Sequence, residues 1–199
     1  MDALWSFLIA AFALTGSPGP NTLSLAGVGA SFGRRRGVAY LMGLTIGMVL
    51  VIAIVGTGIS GAIMTLPGIS PVVTGLAAAY FLYLAWRIAT APPLPEIGRL
   101  APEAGPRWYE GIVLSLANPK AYAAMAALFS GHVLVAGNAM RDGLWKAGLA
   151  LAVICTVNIF WLLLGAGMAG LMRSPRTARA VNIAFAVLLL ASVLIVAVG

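Results

Sequence analysis

Between residues 3 and 33, and again between residues 37 and 86, the chain carries no Asp, Glu, Lys or Arg. Both runs exceed the ~20 apolar residues that cross a hydrocarbon core, and the second is long enough to cross twice. The rest of the chain follows suit: 61% of its 199 residues are hydrophobic and 9% are charged, against about 25% charged in soluble domains. Mean hydropathy is +1.02. The sequence therefore predicts an all-α polytopic membrane protein. Its N-terminus lacks a basic segment and a small-residue cleavage site, so it reads as the first span rather than a removable signal.

Spans are expected over 3–33 (interrupted at 16–21), twice within 37–86 with a turn at "LPGISP" (66–71), and over about 110–133, 147–172 and 180–199. That makes six helices. The net charge of +7 would suggest nucleic acid in a soluble chain. Here the basic residues lie mostly between apolar runs and read as topogenic charges, so no nucleic-acid partner is expected and the bilayer is the main one. Arg34–Arg36, then Arg87, Arg99 and Arg107, then Arg173, Arg176 and Arg179 all fall on one side of a six-span layout. Arg141 and Lys146 fall on the other. The positive-inside rule makes 34–36, 87–107 and 173–179 cytoplasmic loops and places both termini outside. Trp5, Trp86, Trp108, Tyr109 and Trp145 near the span ends match interfacial anchoring.

The Pro-rich stretch 87–107 divides the chain into a first three-helix unit (1–90), a linker (91–107) and a second three-helix unit (108–199), all one membrane domain. In each unit the first helix is broken by proline well inside the membrane: "GSPGPN" (16–21) and "LANPKAYA" (116–123). An odd number of spans per unit inverts the second copy. Inverted repeats with matched broken helices are a transporter architecture whose binding site lies at the breaks. Lys120 is roughly 15 Å past Glu110 along a helix, the middle of a core about 30 Å thick.

Proline removes a backbone donor and frees the carbonyl four residues back. Pro18, Pro20 and Pro119 thus release the carbonyls of Leu14, Gly16 and Ser115. Asn118-Pro119 reads as a helix N-cap and first-turn residue. In the first break, Ser17-Pro18 or Gly19-Pro20 with Asn21 do the same. Helix N-termini attract carboxylates and freed carbonyls attract ammonium groups, so the breaks offer both halves of an amino-acid zwitterion. A lysine at the bilayer centre costs about 2.5–3.5 kcal/mol, which Lys120 could recover by pairing with a substrate carboxylate.

At these residues the chain resembles the LysE/RhtB-type amino acid exporters. Their Pro-Gly-Pro-Asn and Asn-Pro-Lys-Ala motifs read here Pro18-Gly19-Pro20-Asn21 and Asn118-Pro119-Lys120-Ala121. "AYFLYLAWR" (79–87) and "RSPRTAR" (173–179) look like two further family stretches, with Ala85 where glycine is usual. The resemblance implies a six-helix secondary transporter of the inner membrane whose motif residues line the pathway. There are departures: "YAAMAALFSGHVL" (122–134) lacks the usual proline and glutamine, Met48 stands where relatives often carry a polar residue, and the last helix lacks the usual glycines.

The substrate-binding residues expected are Ser17, Pro18, Gly19, Pro20, Asn21, Asn118, Pro119, Lys120 and Asn158, the last a polar residue inside the fifth helix. Asp2, Glu96, Glu103, Glu110 and Asp142 all lie away from mid-span, leaving a basic side chain no buried partner. A neutral or small polar amino acid is therefore expected. No cofactor is implied. The spans hold no carboxylate pair, metal-ligand cluster or Ser–His arrangement, which argues against an enzyme. The lone Cys155 excludes an internal disulfide. A non-transporting assembly or anchor subunit is the alternative function. "GASFG" (29–33) and "GLTIG" (43–47) allow close helix approach within the chain or across a homodimer.

Overall fold

The computed structural model describes residues 2–58, 75, 79, 82–86, 88–90, 105–168 and 174–198. The turn at 66–71, Tyr80, Arg87, Arg99, Arg173 and most of the 91–107 linker lie outside the described residues. The elements with described bounds are α1 (Asp2–Gly16), α2 (Pro20–Gly56), α3 (Trp108–Ala117), α4 (Pro119–Gly131), α5 (Ala139–Gly167) and α6 (Pro175–Val198). No strand occurs among the described residues.

Both proline motifs end one helix and start another. α1 stops at Gly16, and α2 begins at Pro20 with Gly19 as its N-cap. α3 stops at Ala117, Asn118 sits between in an extended conformation, and α4 starts at Pro119. The α3–α4 pair is bent by 63°. Proline cannot continue the preceding hydrogen-bond ladder but suits a first helical turn, so one residue both terminates and nucleates.

α2 is two legs joined at Gly33, whose φ of 79° and ψ of 168° are non-helical. A side chain at that φ is strained, and the three arginines 34–36 follow directly. α2 and α5 are long and apolar enough to cross a membrane, the bent α3–α4 pair makes a third such element, and α1 is a shorter apolar helix. The outward faces agree: Trp5, Ile9 and Phe12 on α1, and Val38, Met42, Ile46 and Val49 on α2, are exposed. An apolar stripe of that kind belongs against lipid.

Two helix starts differ from expectation. α5 begins at Ala139 rather than near 147, because the Asn138 side chain accepts from Arg141 N–H (2.9 Å) and Asp142 neutralises Lys146 one turn on (2.6 Å). Arg141 and Lys146 are thus helical, not loop residues. α6 begins at Pro175, so Arg176 and Arg179 lie in its first turns.

The described residues pack in two large apolar clusters and a small third one of Ala30 and Ala178. One large cluster gathers Phe7 and Ala11, Met48, Val51 and Ile52, Ala121, Ala124, Met125 and Leu128, and Ala150, Val153, Ile154 and Val157. The other gathers Leu25 and Val28, Tyr40 and Leu44, Leu84, Ala85 and Ile88, Leu114, Leu162 and Ala186. Among the described residues, the stretches 12–24, 45–47, 115–120 and 158–161 each lead from one of these two clusters to the other. Both helix breaks lie within these stretches. Close approach is set by glycine: a Cβ on Gly43 would collide with Trp108 O, one on Gly111 with Tyr40 O (2.6 Å), and one on Gly165 with Ala26 O. Gly29 and Gly47 likewise abut α5 and α3, so Gly29, Gly43 and Gly47 serve close approach within the chain, while an added Cβ on Gly33 would meet nothing within 4 Å.

Candidate functional site

The three carbonyls released by proline are all satisfied by protein groups. Leu14 O accepts from the Ser17 hydroxyl (3.1 Å), Gly16 O from the Trp161 indole N–H (3.2 Å) and Ser115 O from Asn118 N–H (3.3 Å). In a nonaqueous setting each unsatisfied group would cost several kcal/mol. The first break continues the pattern. Gly19 N–H donates to Thr22 Oγ1 (2.9 Å), and the Thr22 hydroxyl lies 3.1 Å from Gly19 O. Gly19 itself is fully extended (φ −170°, ψ −179°), a backbone any residue adopts.

Asn118 caps α4 as its sequence suggests, with its side-chain oxygen accepting from Lys120 N–H (3.1 Å). Its amide then donates to Asn21 Oδ1 (2.9 Å). The Asn21 amide donates to Ser115 Oγ (3.1 Å), and Ser115 donates to Leu44 O on the second leg of α2 (3.0 Å). This relay joins the two motifs across the chain and uses the donor and acceptor ends of both amides in one consistent sense.

Lys120 makes the second link. Its Nζ donates to Ser17 O (2.9 Å), Ser17 Oγ (2.8 Å) and Pro18 O (3.0 Å). Its stem passes over Gly19, where a Cβ would stand 2.8 Å from Nζ and 2.9 Å from Cδ. Among the described residues no carboxylate faces it: Glu110 caps α3 by accepting from Arg107 N–H (3.3 Å), and Asp142 holds Lys146.

These groups border a pocket of about 430 Å³, its open mouth included. Of the residues singled out by sequence, Ser17, Gly19, Pro20, Asn21, Asn118, Lys120 and Asn158 line it together. Pro18 and Pro119 are exposed and do not line it. They make the breaks, and Pro18 also lends its carbonyl to Lys120. Asn158 is 3% exposed and its amide nitrogen has no partner, an arrangement that costs about 1–3 kcal/mol. Thr156, its neighbour but one, is exposed and bonded to its own helix (Ala152 O, 2.9 Å).

Sequence reasoning missed several contributors. Thr22 carried a signal, since a hydroxyl three residues past an N-cap is positioned to reach back. Trp161 and Ser115 carried none, because their partners are 145 and 94 residues away. The apolar wall of Leu14, Met48, Met125, Ile154 and Val157 was likewise unreadable, apart from Met48 standing out in the second helix. His132 packs edge-on against Phe7 (5.5 Å) and lies 3.3 Å from Ser6 Oγ, away from the pocket lining.

A family model described as LysE type translocator matches residues 12–199. The cysteine/O-acetylserine efflux protein of Salmonella typhimurium (strain LT2) is 30% identical over 169 residues, covering 83% of this chain and 82% of that protein. The leucine efflux protein of Salmonella choleraesuis (strain SC-B67) is 33% identical over 121 residues, 59% of this chain and 57% of that protein. That of Enterobacter sp. (strain 638) is 30% identical over 120 residues, with the same shares. No solved structure matches.

Proposed function

The chain belongs to the LysE type translocator family, a transporter rather than an enzyme, and we propose that it exports neutral amino acids or closely related small zwitterions across the inner membrane, binding them where its two helix breaks meet. The observation that carries this reading is the pocket. It joins a polar end, built from Ser17, Asn21, Asn118 and Lys120, to an apolar wall that includes Met48, Met125 and Ile154, and no acid among the described residues lines it. A zwitterion brings one carboxylate and one ammonium to that polar end. An apolar or small polar side chain fits the wall and the free Asn158 amide, whereas a lysine side chain would lie there unpaired at high cost. The relatives' names, cysteine/O-acetylserine and leucine efflux, are of substrates with uncharged side chains. Two inverted three-helix units, 1–90 and 108–199, account for the paired breaks. The anchor-subunit alternative explains neither those breaks nor the family membership.

The test is efflux from proteoliposomes loaded with a panel of amino acids. Wild type moves neutral members faster than a protein-free control and faster than lysine. Lys120→Ala and Asn21→Ala each reduce that rate at least tenfold. Lysine moving as fast as threonine would refute the neutral preference, no transport of any member would refute the exporter reading, and unchanged transport in both variants would refute the site.

A further inference from the structure

The acceptors around Lys120 have the composition of an ammonium-binding site. An ammonium has three donors, and Lys120 directs all three at Ser17 O, Ser17 Oγ and Pro18 O, at 2.8–3.0 Å. Two of these are backbone carbonyls exposed only because the first helix is broken, and all belong to the other broken helix. The charge they hold faces no carboxylate among the described residues, so it is met by neutral dipoles alone. A carboxylate is a stronger partner for it than a neutral oxygen.

We propose that Lys120 is a built-in stand-in for the substrate's α-ammonium. In the empty carrier it fills the Ser17–Pro18 oxygens. When an amino acid binds, the substrate ammonium takes those oxygens and Lys120 moves onto the substrate carboxylate. The inference rests on the amino-acid reading of the pocket and deepens it. The charge balance favours the exchange: the zwitterion adds no net charge, one ammonium replaces another, and an ion pair is gained. A ligand with only the ammonium would bring a second positive charge beside Lys120. A ligand with only the carboxylate would draw Lys120 away and leave the oxygens unfilled. The flexible stem over Gly19 supplies the movement. Because the Lys120 bonds also tie the second break to the first, the exchange loosens that tie only when a complete zwitterion is present.

The test compares binding of leucine, leucine methyl ester and N-acetyl-leucine to the purified chain in lipid nanodiscs. Wild type binds leucine at least tenfold more tightly than either analogue. In Lys120→Met the vacated oxygens accept the ester, whose affinity rises at least tenfold over wild type, while N-acetyl-leucine binding is lost. Lys120→Arg, which keeps the charge, leaves ester binding as weak as in wild type. Should Lys120→Met fail to fold, Lys120→Ala, which also removes both the charge and the donors, is read by the same criterion. Ester affinity unchanged or weakened in the uncharged variant overturns the exchange, as does a gain in Lys120→Arg. Leucine binding by wild type with no such gain discards the exchange alone. Failure of wild type to bind leucine or any member of the efflux panel discards the amino-acid reading itself.

Discussion

A lysine in mid-membrane, where the sequence leads one to expect Lys120, is costly unless its charge is met, and Gly19 leaves room for the Lys120 stem to reach its acceptors. The extended Gly19 backbone accepts any residue, so the demand for glycine comes from space, since a Cβ there would strike the lysine stem. Gly19→Ala should therefore act through Lys120. We expect binding of a neutral amino acid to weaken about tenfold, within the ~1–3 kcal/mol range of overpacking. The double variant Gly19→Ala/Lys120→Ala should bind no worse than Lys120→Ala alone, because the clash disappears with the stem. Additive losses in a binding titration of the four proteins would refute this. The same pair shows what was legible. Both motifs stand out in the sequence as prolines in apolar runs. That glycine serves lysine was not legible, because the contact spans about a hundred residues and sequence spacing carries no information across a fold boundary.

At the level of helices, composition located the breaks well and the ends poorly. Proline acts on its own helix, so Ser17–Gly19 and Asn118 were readable as interruptions. Helix starts near charges were not. Asp142 and Lys146 look like loop residues until they pair one turn apart, with Lys146 also donating to Phe129 O (2.9 Å). Asp142 further accepts from Leu134 and Val135 N–H at 2.6 and 2.9 Å, tying the 132–138 connection to the start of α5. Removing one partner of a buried pair leaves an uncompensated charge. Asp142→Ala should thus lower the thermal unfolding midpoint in detergent more than Asp142→Asn, which keeps an acceptor for the two N–H groups. A double variant, Asp142→Ala/Lys146→Met, should recover part of the loss. Equal midpoints for the Ala and Asn variants would show that the turn does not depend on those bonds.

For the molecule as a whole, these contacts bear on the charge argument for orientation. Phe32 lies beside Gly105, where an added Cβ would stand 3.2 Å from the Phe32 ring, and Ala30 packs on Ala178. The bend carrying Arg34–Arg36 is therefore brought beside the start of α3, with Arg107, and the start of α6, with Arg176 and Arg179. At the far ends of α1 and α4, Ser6 and His132 meet, and the nearby Lys146 is neutralised by Asp142. Arginine is thus gathered at one end of the described residues, while Arg141 and the paired Lys146 lie at the other, the same asymmetry that the sequence suggested. Under the positive-inside rule we expect the arginine end to be cytoplasmic. A reporter active only outside the cytoplasm, fused after Gly199, should be active, and a cytoplasm-dependent reporter at the same point should be silent. Replacing Arg34–Arg36 by glutamine should leave that result unchanged, because the arginines of α3 and α6 hold the same end. A cytoplasm-active fusion to the unaltered chain would invert the orientation, and with it the direction in which the paired breaks open.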